Sequence, residues 1–172
     1  MNSERNRAIP VNSPKRTLTK YLRTSRGLPK LVYEFADSAI TILNGKHTNH
    51  LGVEKLQVPS GGMAEVTSIE RTLIDITVRP NHVGGVSRVL EAFAAAKGRV
   101  STRAVLGMLK KLDYTYPFHQ AIGFYLKRAG YSIGDQELFA RMGTRFDFYL
   151  SHGASRPVFD REWRIWYPHQ LN

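Results

Sequence analysis

The chain has 172 residues, 42% of them hydrophobic, which is enough for one domain with a sizeable core. It has no cysteine, which excludes disulfides and thiolate metal sites. No apolar run approaches the roughly 18–20 residues of a membrane span, and the opening "MNSERNRAIPVNSPKRT" lacks the apolar centre of a signal peptide; a cytoplasmic protein that does not engage a membrane is expected. The net charge of +11 favours polyanionic partners, either nucleic acid or a strongly acidic protein.

The charge is unevenly placed. Residues 1–30 carry Arg5, Arg7, Lys15, Arg16, Lys20, Arg23, Arg26 and Lys30 against the single acid Glu4, a net of +7. With Pro10, Pro14, Gly27 and Pro29 interspersed, residues 1–29 read as a flexible basic arm with a short helical turn near 18–23. Lys15, Arg16, Lys20, Arg23 and Arg26 are its candidate nucleic-acid contacts. Such cations would give salt-sensitive, sequence-tolerant binding; an unstructured solubilising tail accounts for them equally well.

From residue 30 to 172 the chain reads as one folded domain. The short β-prone runs "LVYEFA", "AITIL", "VEKLQV" and "MAEVT", punctuated by "NGK" and "PSGG", suggest an antiparallel meander of three or four strands. About five helices follow. The first opens on Thr67 and Glu70 in capping-box spacing and ends before Pro80. A second, near 85–97, places Val86, Val89, Leu90 and Phe93 on one face and stops at Gly98. A third has Ser101 as its N-cap and an apolar face of Val105, Leu106, Leu109 and Leu112. The fourth, over 117–130, begins at Pro117, turns Phe118, Ala121, Ile122, Tyr125, Leu126 and Ala129 inward, and stops at Gly130. A shorter fifth covers about 135–142. Two strand-like runs, "RFDFYL" and "EWRIWYP", joined by the loop "SHGASRPVFD", then predict a C-terminal β-hairpin. The order of strands, helices and strands points to an α+β fold.

Within the first helix Arg71, Asp75 and Arg79 are spaced at i,i+4 and share one face. They read as a structural ion stripe or as a partner-docking face. A carboxylate held between guanidiniums makes a poor general base, so catalysis is not expected there. His47 and His50 in "KHTNH" sit in a turn without acids at ligand spacing, so no metal is expected. No P-loop, H-E-x-x-H, G-x-S-x-G or dinucleotide-binding glycine motif occurs. Asp147 lies on a strand but lacks the acid-x-Lys partner of a metal nuclease. No catalytic residue and no cofactor are therefore assigned.

Helices two to four followed by a hairpin also have the order of a winged helix-turn-helix. The fourth helix would then enter the major groove with His119, Gln120, Lys127 and Arg128. Against this, Lys127 and Arg128 fall at the helix end, and the linker "DYTYP" resembles a packed loop more than a tight turn. For His119 a helix-capping or surface role is the stronger reading, ahead of contact with a phosphate or a partner. The aromatic residues between 114 and 167 read mostly as core, and an exposed subset on the terminal strands would suit an interface.

The stretch "VTSIERTLIDITVRP", followed by "GGVSRVLEAFAAAKGRVS", "LKKLDYTYPFHQAIGFYLKRAGY" and the closing "DFYL…WRIWYP", resembles the C-terminal domain of AbiEi-type antitoxins of bacterial abortive-infection, type IV toxin–antitoxin systems. The resemblance spans roughly residues 31–168, and its most specific element is S-x-E-R-T-L-x-D over 68–75. It implies a non-enzymatic antitoxin that counters a nucleotidyltransferase toxin of the AbiEii type without a stable complex and represses its own operon. That repression is credited in the family to an N-terminal winged helix. Residues 1–30 are too short and too polar to form one, so DNA contact would fall to the basic arm or to a separate protein. The competing reading is a DNA- or RNA-binding transcriptional regulator that uses the arm and the helix over 117–130. A third is an enzyme acting on nucleic acid.

Overall fold

The structure, a computed structural model, describes residues 31–35, 38–43, 48–151 and 156–171. The chain divides into two compact units, Met1–His47 and Thr48–Asn172. The predicted basic arm, with Lys15, Arg16, Lys20, Arg23 and Arg26, lies outside the described residues, as does His47. What is described of the first unit is an antiparallel hairpin of β1 (Leu31–Phe35) and β2 (Ser38–Ile42), in which Tyr33 faces Ile40 and Leu31 faces Ile42.

The second unit opens with another antiparallel hairpin, β3 (Val53–Gln57) and β4 (Met63–Thr67). The four predicted strands thus form two separate two-stranded sheets, not one meander. Before β3 the chain turns sharply through left-handed backbone at Asn49, His50 and Gly52, closed by Leu51 N–H to Thr48 carbonyl and Val53 N–H to His50 carbonyl bonds.

Five helices follow: α1 (Ile69–Val78), α2 (Val86–Ala96), α3 (Thr102–Leu112), α4 (Phe118–Arg128) and α5 (Ile133–Ala140). The apolar spacings predicted for α2 and α3 hold: Val86, Val89 and Phe93, and Val105, Leu109 and Leu112 are buried, with Leu90 and Leu106 partly buried against them; Leu73 and Ile74 of α1 are buried too. The start of α1 differs by one residue from the capping-box reading. Ser68 is the N-cap, accepting from the Arg71 N–H, while Thr67 ends β4 and its hydroxyl meets that of Thr72 at 2.7 Å. Helix α5 starts earlier than predicted because the Ser132 hydroxyl caps it by accepting from the Asp135 N–H.

Helix α4 is the centre of the unit. Phe118 and the whole run from Gln120 to Leu126 are buried, so it is enclosed nearly all round. The Tyr125 ring stacks on Phe93 at 5.2 Å, and Phe124 meets Tyr167 at 4.9 Å. Beyond α4 lies a three-stranded sheet in the order β5 (Phe148–Tyr149), β7 (Ile165–Pro168), β6 (Pro157–Asp160). The C-terminal hairpin is present, but "IWYP" pairs antiparallel with "PVFD" from the predicted loop, whereas "DFYL" joins β7 in parallel. The short turn at 161–164 decides this: Asp160 Oδ1 accepts from the Trp163 N–H at 3.0 Å and Arg164 adopts left-handed backbone, which closes a local β6–β7 hairpin. Among the described residues no helix is long and apolar enough to cross a membrane.

Candidate functional site

The Arg71–Asp75–Arg79 stripe exists as a face of α1, but its members do different work. Arg71 is only 9% exposed. Its Nε donates to both Asp75 carboxylate oxygens, at 2.9 and 3.0 Å. Its Nη1 donates to the Leu51 carbonyl at 2.6 Å and to the Thr48 hydroxyl at 3.3 Å. One guanidinium therefore clamps the turn before β3 onto the helix after β4. The fit is close: a Cβ on Gly52, whose φ is +71°, would lie 2.8 Å from the Arg71 Cβ and 3.0 Å from the Met108 sulfur. Glycine is required there both by the backbone and by the approach of Arg71.

Arg79 sits past the helix end as its C-cap, its N–H donating to the Asp75 carbonyl at 3.1 Å. All three charges reach Tyr114, which sequence reasoning had placed only in the general aromatic core. Burial raises the Tyr114 phenol above its ordinary value, the Asp75 charge adds to this, and Arg71 and Arg79 oppose it.

The other residues of S-x-E-R-T-L-x-D are equally occupied. Glu70 reaches across to accept from the Ser101 N–H at 3.1 Å, so it caps α3. Burial pulls the Glu70 carboxyl up, but the N–H groups of Ser101 and Glu70 and the Ser68 hydroxyl outweigh it and leave the pKa lowered. At the same end of α3, Asp135 accepts from the Ser132 and Thr102 hydroxyls, both at 2.6 Å, and these bonds hold its pKa down.

The residues proposed for a recognition helix are spent on internal contacts. The Gln120 amide is fully buried and donates to the carbonyls of Phe146 at 2.8 Å and Trp163 at 2.7 Å. His119 Nε2 donates to the Gly143 carbonyl at 2.7 Å. Lys127 bridges Asp160 at 3.2 Å and Glu162 at 2.6 Å, and Arg128 lies over the rings of Phe124 and Tyr167 while donating to the Tyr167 hydroxyl. These four tie the C-terminal sheet and the 143–146 segment to α4. The four side chains are thus engaged within the fold, on a helix that is buried along most of its length.

Elsewhere, His50 lies in its turn with Nδ1 3.8 Å from Glu65, and Asp147 pairs with Arg164 at 2.6 Å. Among the described residues no group of three or more His, Asp or Glu side chains could hold a metal ion.

A cleft of about 430 Å³ lies between the end of α1 with its following 3-10 turn (Pro80–Val83) and β5. Arg79, Asn81, His82, Tyr116, Tyr149 and Ser151 are among its walls. Tyr149 also begins a row of rings across the outer face of the C-terminal sheet. It stacks on Trp166 with centroids 5.8 Å apart and planes at 11°, and Trp166 meets Phe159 at 4.8 Å. Comparison of the chain with protein-family models, curated proteins and solved structures finds no match.

Proposed function

We propose that this chain is a non-enzymatic, cytoplasmic antitoxin of the AbiEi type, which counters a nucleotidyltransferase toxin of the AbiEii type without a stable complex. The observation that supports this most is the use made of S-x-E-R-T-L-x-D. Ser68 caps α1, Glu70 caps α3, Arg71 and Asp75 clamp the turn before β3, the Thr72 hydroxyl meets Thr67, and Leu73 is core. Each named residue of that motif thus has a task within this fold. The Asp75 carboxylate, the one acid in the stripe, has both oxygens engaged by Arg71, in keeping with a role without catalysis. The absence of cysteine suits a reducing compartment.

Co-expression with a nucleotidyltransferase toxin of the AbiEii type tests the reading. Growth should recover when this chain is induced, and a pull-down with tagged toxin should bring down little of it. Growth arrest that persists despite soluble antitoxin would remove the proposal.

A further inference from the structure

We propose that the cleft beside β5 binds a nucleotide unit, an unpaired nucleobase with its phosphate, as the next layer of the ring row Phe159–Trp166–Tyr149. Three observations carry this. First, a sheet with one face on the core ordinarily turns polar side chains to solvent, yet this mixed sheet presents an aromatic ring at each of three registered positions, Tyr149 opposite Trp166 and Trp166 opposite Phe159. Their inward neighbours Phe148, Ile165, Tyr167 and Val158 already supply the core, so burial does not account for the outer row. Second, the row runs into a concavity: Tyr149 is 47% exposed and walls the cleft, where Tyr116, 68% exposed, is a second aromatic wall. A volume of about 430 Å³ is in the range of small-ligand sites, roughly 300–1,000 Å³. Third, the polar groups suit a nucleotide. Asn81 and Ser151 can meet the edge of a base, and Arg79 brings a positive charge and His82 a ring nitrogen to the cleft wall for a phosphate. The net charge of +11 draws such anions in.

Stacking of bases on aromatic side chains is tolerant of sequence and common in single-strand binding. The same chemistry comes from a free nucleotide or from one residue of a single strand. The proposal stands independently of the antitoxin reading: either can fail with the other intact.

The test uses the full chain and its own fluorescence. Trp163 is fully buried, so a ligand-dependent quench reports on Trp166. The probes are uridine and adenosine monophosphates, a short oligouridylate, and a duplex of equal length, the last two also followed by anisotropy with an end label. A quench by the single strand but not the duplex is expected. A quench by the monophosphates as well assigns a free-nucleotide pocket; a quench by the strand alone assigns a strand site. Tyr149→Ala and Tyr116→Ala should each weaken binding about tenfold, and Arg79→Gln should weaken it and flatten its salt dependence, whereas the charge-matched Lys111→Gln should do neither. Circular dichroism of each variant confirms that it is folded. No quench by any probe, equal binding of duplex and strand, or undiminished strand binding in the folded Tyr149→Ala and Tyr116→Ala variants would overturn the proposal, the last by assigning the affinity to other cations of the chain.

Discussion

Replacing Arg71 by alanine separates a strut from a docking face. The side chain is 9% exposed and makes a charge-assisted bond to the Leu51 carbonyl at 2.6 Å, worth about 1.5–3 kcal/mol. The bond to Asp75 counts for less, because that carboxylate is 39% exposed; solvent screening reduces it to about 0.5–1 kcal/mol. The loss should therefore be about 3 kcal/mol in urea unfolding, or a fall in Tm of roughly 10 °C for a chain of this size. Asp75→Ala should cost about 1 kcal/mol, since Arg71 keeps Leu51 and Thr48, and a double-mutant cycle should return a coupling below about 1 kcal/mol. Hydrogen exchange should quicken in Arg71→Ala at the Ser68 N–H, which donates to the Gly52 carbonyl at 2.7 Å. If Arg71→Ala lost less than about 0.5 kcal/mol while toxin neutralisation disappeared, the clamp would be wrong and the stripe would be a docking face.

Other consequences follow from close packing and from titration. Gly123→Ala would place a Cβ inside the Trp163 ring, 2.6 Å from Cε3 and closer to Cζ3 and Cη2; overpacking of about 3 kcal/mol should outweigh the ~1 kcal/mol of helix propensity gained, and thermal melts will show the sign. The lowered pKa values of Glu70 and Asp135 mean that their contribution is complete above the ordinary carboxyl pKa near 4 and is lost as pH falls through the folded value, so Asp135→Asn should flatten the acid limb of a stability–pH profile. Burial raises the Tyr125 phenol, and burial with the Asp135 charge raises Tyr131 to about 12. Both should ionise late in an alkaline absorbance titration, and stability should fall as pH rises above about 10, where the unfolded phenols lose their protons first.

Much of the local architecture was legible in the sequence. Ser101 as a cap, the Pro80 stop and the inward positions of α2 and α3 follow from spacing and from the few side chains able to satisfy a helix end. The pairing of strands was less so. "PVFD" was taken for loop because its proline and aspartate mask a strand only four residues long, and its partner is selected by the Asp160–Trp163 turn bond, not by apolar alternation. The cap of α1 shifted by one position because Glu70 found a better donor at Ser101, a residue 31 positions away. The anchors of Arg71, namely Thr48, Leu51 and Gly52, were missed too, although Gly52 just after Asn49 and His50 marks a tight turn.

The sequence by itself determined which segments become helices, where most of them start and stop, and that Arg71, Asp75 and Arg79 share a face. These are local matters of period, capping and backbone freedom. Only the tertiary structure decided what those side chains do. Periodicity could not show that α4 is surrounded, because its exposed-looking His119, Gln120, Lys127 and Arg128 meet partners from 24 to 43 residues later in the chain. Nor could it show that Tyr149, Trp166 and Phe159 would line up across three strands and run into a cleft with Arg79. Long-range register is set by packing, and no local pattern encodes it.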